Sequence, residues 1–134
     1  MNGKHRSIEG AEQAKLFKWV EFTAHYRPEL LLLFHVPNGG SRNKAEAANL
    51  KRQGVRPGVP DLCFPVARGK YHGLYIELKA GKNKPTEHQR KWITALRAQR
   101  YAVAVCYGWE EAARVLEKYL DLGGADNESQ DPIK

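Results

Sequence analysis

Cysteine is scarce in this sequence: Cys63 and Cys106 each sit inside a short apolar run, with no second Cys or His at ligand spacing. A disulfide framework and a structural zinc site are therefore not expected, and a reducing cytoplasm is the compartment that fits. Long hydrophobic stretches are missing as well. No apolar segment of signal-peptide length opens the chain, and the run Leu30 to Phe34 is far too short to cross a bilayer, so neither secretion nor membrane anchoring is expected. Acidic residues are in deficit, with 15 Asp and Glu against 22 Lys and Arg and a net charge of +7. That balance makes a polyanion the first partner to consider. No P-loop, Gly-x-Ser-x-Gly elbow or His-Glu-x-x-His motif occurs, and the 5 histidines are dispersed. The chemistries that depend on those motifs lack support.

What is present is enough for one soluble globular domain: 134 residues, 42% hydrophobic and 28% charged. Ile8, Leu16, Trp19, Val20 and Thr23 recur at helical spacing behind Ser7 as an N-cap, which predicts a helix from about Ile8 to His25, ended by Pro28. The bounded apolar run Leu30 to Val36 reads as a buried strand, with a buried helical segment as the weaker alternative. Asn43 to Gln53 is rich in Ala, Lys, Glu and Leu and stops at Gly54, as a helix with Gly just beyond its end does. Asp61 to Phe64, a turn at Arg68-Gly69-Lys70 and Leu74 to Lys79 read as a hairpin whose first strand either ends before Pro65 or lies at an edge or bulge there. Thr86 with Gln89 forms a capping-box pattern ahead of a helix carrying Trp92, Ile93 and Leu96. Tyr101 to Tyr107 then reads as a buried strand and Trp109 to Leu120 as a last helix. The order helix, strand, helix, strand, strand, helix, strand, helix predicts an α/β fold with a mixed sheet flanked by helices. Residues 1–122 form the expected single domain, and the polar tail 123–134 is expected to be disordered.

Strand alternation puts Glu77 and Lys79 on one face and Leu74, Ile76 and Leu78 on the other, in the core. The hairpin folds Asp61, after Pro60, back towards Glu77. Two carboxylates and an ammonium then converge at one end of the sheet, and such an oxygen donor set suits Mg²⁺ or Mn²⁺. An isolated Glu-x-Lys is ordinarily a solvated surface pair; here it stands opposite Pro60-Asp61 across one predicted hairpin.

Pro60-Asp61 with Glu77-Leu78-Lys79 resembles the PD-(D/E)xK nuclease motif. The segments Val36-Pro37-Asn38-Gly39-Gly40, Gly54-Val55-Arg56-Pro57-Gly58-Val59-Pro60-Asp61 and Tyr75-Ile76-Glu77-Leu78-Lys79 are similar to the VRR-NUC (virus-type replication-repair nuclease) family, and the likeness runs from about Glu12 to Leu120. The resemblance implies a restriction-endonuclease-like fold and metal-dependent hydrolysis of DNA phosphodiesters, with four-way junctions among the substrates and a homodimer as the assembly of stand-alone members. It implies catalytic roles for Asp61, Glu77, Lys79 and Glu12, with a metal held by Asp61, Glu77, the Leu78 backbone carbonyl and Glu12, and support from Gln13 and Gln89.

The residues leave two of these assignments open. Glu12 lies four residues from both Ile8 and Leu16, inside the apolar stripe of the first helix, whereas Glu9 and Glu21 lie off its centre. A carboxylate so placed needs a partner, either an ion pair with Lys79 or direct or water-mediated contact with the metal. Gln89 either closes the capping box or reaches the active site. Between Arg42 and Lys84 stand ten Lys or Arg and three acids. Arg42, Lys44, Lys51, Arg52, Arg56, Lys82 and Lys84 are placed to meet backbone phosphates, and Asn38 with its two glycines to let DNA approach the backbone. For the helical cations a plain solvated face is the alternative. His35, in an apolar run, and Trp19, Trp92 and Trp109 read as hydrogen-bonding and packing residues. A non-catalytic DNA-binding module that keeps the fold is the competing function, and the complete Asp, Glu, Lys set argues against it.

Overall fold

The computed structural model describes residues 2–37 and 43–123. Asn38, Arg42 and the tail 124–134 lie outside the described residues. In chain order the elements are α1 (Asn2–Thr23), a 3₁₀ helix (Pro28–Leu32), β1 (Phe34–His35), α2 (Lys44–Arg52), β2 (Leu62–Phe64), β3 (Leu74–Lys79), α3 (Glu87–Ala98), β4 (Ala102–Tyr107) and α4 (Trp109–Leu120). The four strands form one mixed sheet in the order β1-β2-β3-β4, antiparallel between its first three strands and parallel between β3 and β4. The parallel step is a crossover through α3, as a parallel pair requires. The expected α/β architecture is present.

The predicted hairpin is in place, with Leu62 opposite Ile76 and Phe64 opposite Leu74. Its first strand stops at Phe64, ahead of Pro65. Alternation then sorts the faces. Leu62, Phe64, Leu74, Ile76 and Leu78 join Leu16, Val20 and Leu30 and the apolar stripe of α4 in one core. Glu77 and Lys79 point to the opposite face, towards α3. Trp19 and Trp109 pack against the core, and Trp92 is half-buried on α3.

Two expectations need correcting. Leu30 to Val36 is not a strand along its length: Pro28–Leu32 is a 3₁₀ helix and only Phe34 and His35 pair with β2. Leu30 and Leu33 are buried at 0% and 5% exposure, while Leu31 and Leu32 are 67% and 52% exposed. That three-residue period is that of a 3₁₀ turn, with Pro28 fixing φ at its start. The first helix also begins earlier than expected, at Asn2, so Ser7 lies inside it and is no cap, and it ends at Thr23. A helix of this length spans about 33 Å and outruns the sheet it covers. Ile8, assigned to the apolar stripe, is correspondingly exposed.

α2 is capped by Asn43, whose side chain accepts from the Glu46 amide at 2.6 Å, and it buries none of its residues. From Gly54 the chain tucks inward, and Gly58 and Pro60 are buried. Gly58 holds φ at +93°, and a Cβ there would lie 2.6 Å from the His88 carbonyl oxygen. The loop that delivers Asp61 is thus pressed against the first turn of α3, and only glycine fits the contact.

Candidate active site

Asp61 stands just ahead of β2, opposite Glu77 on β3. Its Oδ2 accepts a hydrogen bond from the Leu78 amide at 2.8 Å, which locks the carboxylate across the hairpin beside Glu77. Glu77 and Lys79, two residues apart on β3, are 2% and 7% exposed and form an ion pair of 3.4 Å between Lys79 Nζ and Glu77 Oε2. Strand period and hairpin register bring the three residues together as the sequence predicts. Lys79 pairs with Glu77, not with Glu12.

Gln89 fills both of the roles open to it. Its Oε1 accepts from the Thr86 amide at 2.8 Å while the Thr86 hydroxyl accepts from the Gln89 amide at 3.2 Å, completing the capping box. Its Nε2 donates to Glu77 Oε2 at 2.9 Å. The cap and the active-site contact use opposite ends of one amide, so the helix start fixes the orientation of the group that reaches the carboxylate.

The electrostatics are those of a desolvated carboxylate pair. Burial, and then the charge of Asp61, push the Glu77 carboxyl up to about 8 against the pull of Lys79. Burial also raises Asp61, opposed first by the Leu78 amide and also by the charge of Lys79. A raised carboxyl pKa means that the folded chain holds a proton the unfolded chain has lost. The contribution of Glu77 to stability is therefore full below pH 4.5 and falls as pH rises through about 8. Without metal, the melting temperature of the wild type is expected to fall relative to Glu77→Gln between pH 5 and 9, over roughly that interval. Adding Mg²⁺ or Mn²⁺ should restore more of it at the alkaline end, where a cation replaces the proton. Differential scanning fluorimetry across pH, with and without metal, measures both.

Glu77 Oε1 is buried and has no hydrogen-bond partner. An uncompensated buried oxygen beside a second carboxylate is the donor arrangement a hard cation would complete. Among the described residues no group of three or more His, Cys, Asp or Glu is gathered as a metal cage. The fit is therefore to an ion held by a few protein oxygens, with positions left for water and a phosphate, as Mg²⁺ and Mn²⁺ accept.

The remaining sequence candidates are more dispersed. Glu12 is half-buried; its Oε1 accepts from the Trp109 amide at 3.1 Å and its Oε2 meets Lys15 Nζ at 3.3 Å. Gln13 is half-buried and hydrogen-bonds to none of Asp61, Glu77 and Lys79. Lys44, Lys51, Arg52 and Arg56 are exposed on α2 and the loop after it, and Lys82 and Lys84 are exposed just beyond β3. His35 is exposed, with Nδ1 3.0 Å from the Asp61 carbonyl oxygen. Glu9 is not singled out by sequence spacing, yet its Oε2 accepts from the Ala80 amide at 3.2 Å, directly after Lys79. Its position one helical turn before Glu12 is the one signal along the chain that points to it.

Comparison with known proteins agrees with this geometry. A family model described as VRR-NUC domain matches residues 9–110. A solved structure titled "VRR_NUC domain protein" is similar at 32% identity and a TM-score of 0.71, over 86% of this chain and 89% of that one. No curated protein matches.

Proposed function

The chain belongs to the VRR-NUC domain family, a nuclease family, and on that footing we propose that it is a Mg²⁺- or Mn²⁺-dependent endonuclease cutting branched DNA, four-way junctions above all. The observation that carries this reading is the buried Glu77–Lys79 pair with half-buried Asp61 beside it and Glu77 Oε1 left unpartnered. Asp61 and Glu77 would hold the ion, with the Leu78 carbonyl beside them. When bound, it supplies a water of lowered pKa and offsets charge that builds on phosphorus. Lys79, already desolvated, would supply a fixed positive charge to orient that water or offset charge on the phosphate oxygens. Gln89 holds Glu77 in orientation. The reading is tested by incubating labelled duplex, flap and four-way-junction DNA with Mn²⁺, Mg²⁺ or EDTA. Metal-dependent nicking of the junction is expected, and no cleavage of any substrate with either metal would overturn it.

Exposed cations on α2, in the loop to Asp61 and after β3 support a track for the DNA backbone. Binding should weaken steeply with salt, and the double variant Lys51→Ala, Arg56→Ala should flatten the slope of log K against log salt by about one unit for each phosphate no longer neutralised. Fluorescence anisotropy in EDTA measures it.

Two symmetric incisions in a junction call for two active sites, and a two-fold dimer supplies them. Phe22, Tyr26, Leu31, Leu32 and Phe34 stand exposed along one short stretch of chain. They offer on the order of 500 Å² of surface, more than half of the roughly 800 Å² per partner in a standard interface. A dimer mass by light scattering at micromolar concentration is expected, and the double variant Leu31→Glu, Phe34→Glu should be monomeric.

A further inference from the structure

Tyr107 is the last residue of β4 and stands in register with Lys79, the last residue of β3. In a parallel pair such partners share a face of the sheet, so the phenol ring lies next to the lysine side chain. Lys79 is 7% exposed, whereas Tyr107 is 40% exposed. Its hydroxyl is nonetheless engaged: it donates to the Asn83 carbonyl oxygen at 2.8 Å, reaching from β4 to the segment that joins β3 to α3.

That segment, residues 80–86, connects two parts of the site. It starts directly after Lys79 and ends at Thr86, whose amide is held by the Gln89 side chain. It carries Lys82 and Lys84, both exposed, and no acidic residue. Among the described residues neither lysine forms an ion pair. The backbone around them is fixed all the same. Asn83 N donates to the Ala80 carbonyl oxygen at 3.2 Å across a turn in which Gly81 holds φ at +58°. The Pro85 carbonyl oxygen accepts from Arg90 Nη1 at 2.7 Å. The Tyr107 hydroxyl ties the middle of the segment to the sheet, at the residue between the two lysines.

We infer that Tyr107 is a positioning residue for a phosphate-binding subsite at the mouth of the active site, its hydroxyl holding the 80–86 segment so that Lys82 and Lys84 meet backbone phosphates beside the scissile one. The inference rests on the nuclease reading above and names a part of the chain that sets the strand against that site. Lysine ammoniums act as point charges for phosphate, and such contacts fix register on a strand without carrying sequence information. A tethered segment loses less freedom on binding than a loose one, which is what the hydroxyl contributes to affinity. Without it the segment is still joined to β3 and α3, so the fold persists while the two charges are set less accurately.

Phenylalanine at 107 keeps the ring and removes only the hydroxyl, which separates the tether from any contact made by the ring itself. Four-way-junction DNA is titrated in EDTA by fluorescence anisotropy. The double variant Lys82→Ala, Lys84→Ala is expected to weaken binding roughly 10-fold and to flatten the salt slope by about two units, and Tyr107→Phe alone to weaken it about 3- to 5-fold and flatten the slope by about one. The triple variant should bind within about 2-fold of the double lysine variant, since the hydroxyl acts through those lysines. Amide hydrogen exchange in the free protein gives a readout independent of DNA, and exchange at Asn83 should quicken in Tyr107→Phe. Wild-type affinity or unaltered Asn83 exchange in Tyr107→Phe would overturn the inference, as would losses that multiply in full in the triple variant or a double lysine variant of unchanged affinity. A loss confined to Tyr107→Ala would overturn it in favour of direct contact by the ring. A chain that binds the junction with this coupling but cuts nothing with either metal refutes the nuclease reading and leaves the subsite standing; cleavage without the coupling does the reverse.

Discussion

Asp61→Asn and Glu77→Gln are each expected to cut the cleavage rate by on the order of 10²- to 10³-fold or more, while leaving the fold and DNA binding in EDTA largely unchanged. The expectation follows from what each substitution keeps. Asn at 61 retains an oxygen for the Leu78 amide, now held at 2.8 Å, so the hairpin stays closed. Gln at 77 retains an oxygen for Gln89 Nε2, now at 2.9 Å. What both lose is negative charge at a site where a half-buried and a buried carboxylate, the latter with an unpartnered oxygen, are the donors available to a hard cation. The exposed Lys and Arg proposed to meet phosphates lie elsewhere and are untouched. Lys79→Ala should be equally inactive for a different reason, because it removes the ammonium and leaves Glu77 without its ion-pair partner. Single-turnover rates with Mn²⁺, beside anisotropy titrations in EDTA, give both quantities. Undiminished turnover of Asp61→Asn would remove the assigned site.

Gly58→Ala is expected to cost about 2–4 kcal/mol of stability, a fall of roughly 10 °C in melting temperature. The backbone at 58 sits at φ +93°, and a Cβ would meet the His88 carbonyl oxygen at 2.6 Å and its carbonyl carbon at 2.7 Å. Neither neighbour is the mobile end of a side chain, so the loop or the first turn of α3 must move. Both carry the site: the loop leads through buried Pro60 to Asp61, and the turn carries Gln89 to Glu77. Loss of turnover should therefore exceed what the unfolded fraction explains. Gly54→Ala makes the comparison, since φ there is +102° but nothing lies within 4 Å. It should cost only the strain of the backbone, about 1–2 kcal/mol. Equal losses at the two glycines would show that the His88 contact is unimportant.

Much of the protein is legible along the chain. The β2–β3 hairpin, the crossover helix and α4 follow from side-chain periods of two and near four, from Thr86 and Gln89 three apart, and from turn residues at the breaks. Those signals are local and survive being read without partners. The convergence of Asp61, Glu77 and Lys79 follows from the same periods once the hairpin is closed. Where the signal is only hydrophobicity it misleads: the apolar run from Leu30 carries no mark separating a strand from a 3₁₀ turn with two leucines in and two out.

The tertiary structure decides which oxygen meets which donor. On α1, spacing along the helix singles out Glu12, yet Glu9 meets Ala80 from 71 residues away and Glu12 meets Trp109 from 97. Gln89 serves Thr86 and Glu77 together because α3 lies across the face that Glu77 points to. Burial of Glu77 on the α3 side of the sheet, and hence its raised pKa, exists only when α3 and the sheet are assembled. Residue type and period determine what a side chain can do and which way it faces. Its partner is set by the packing of elements remote in sequence, which no local window of the chain contains.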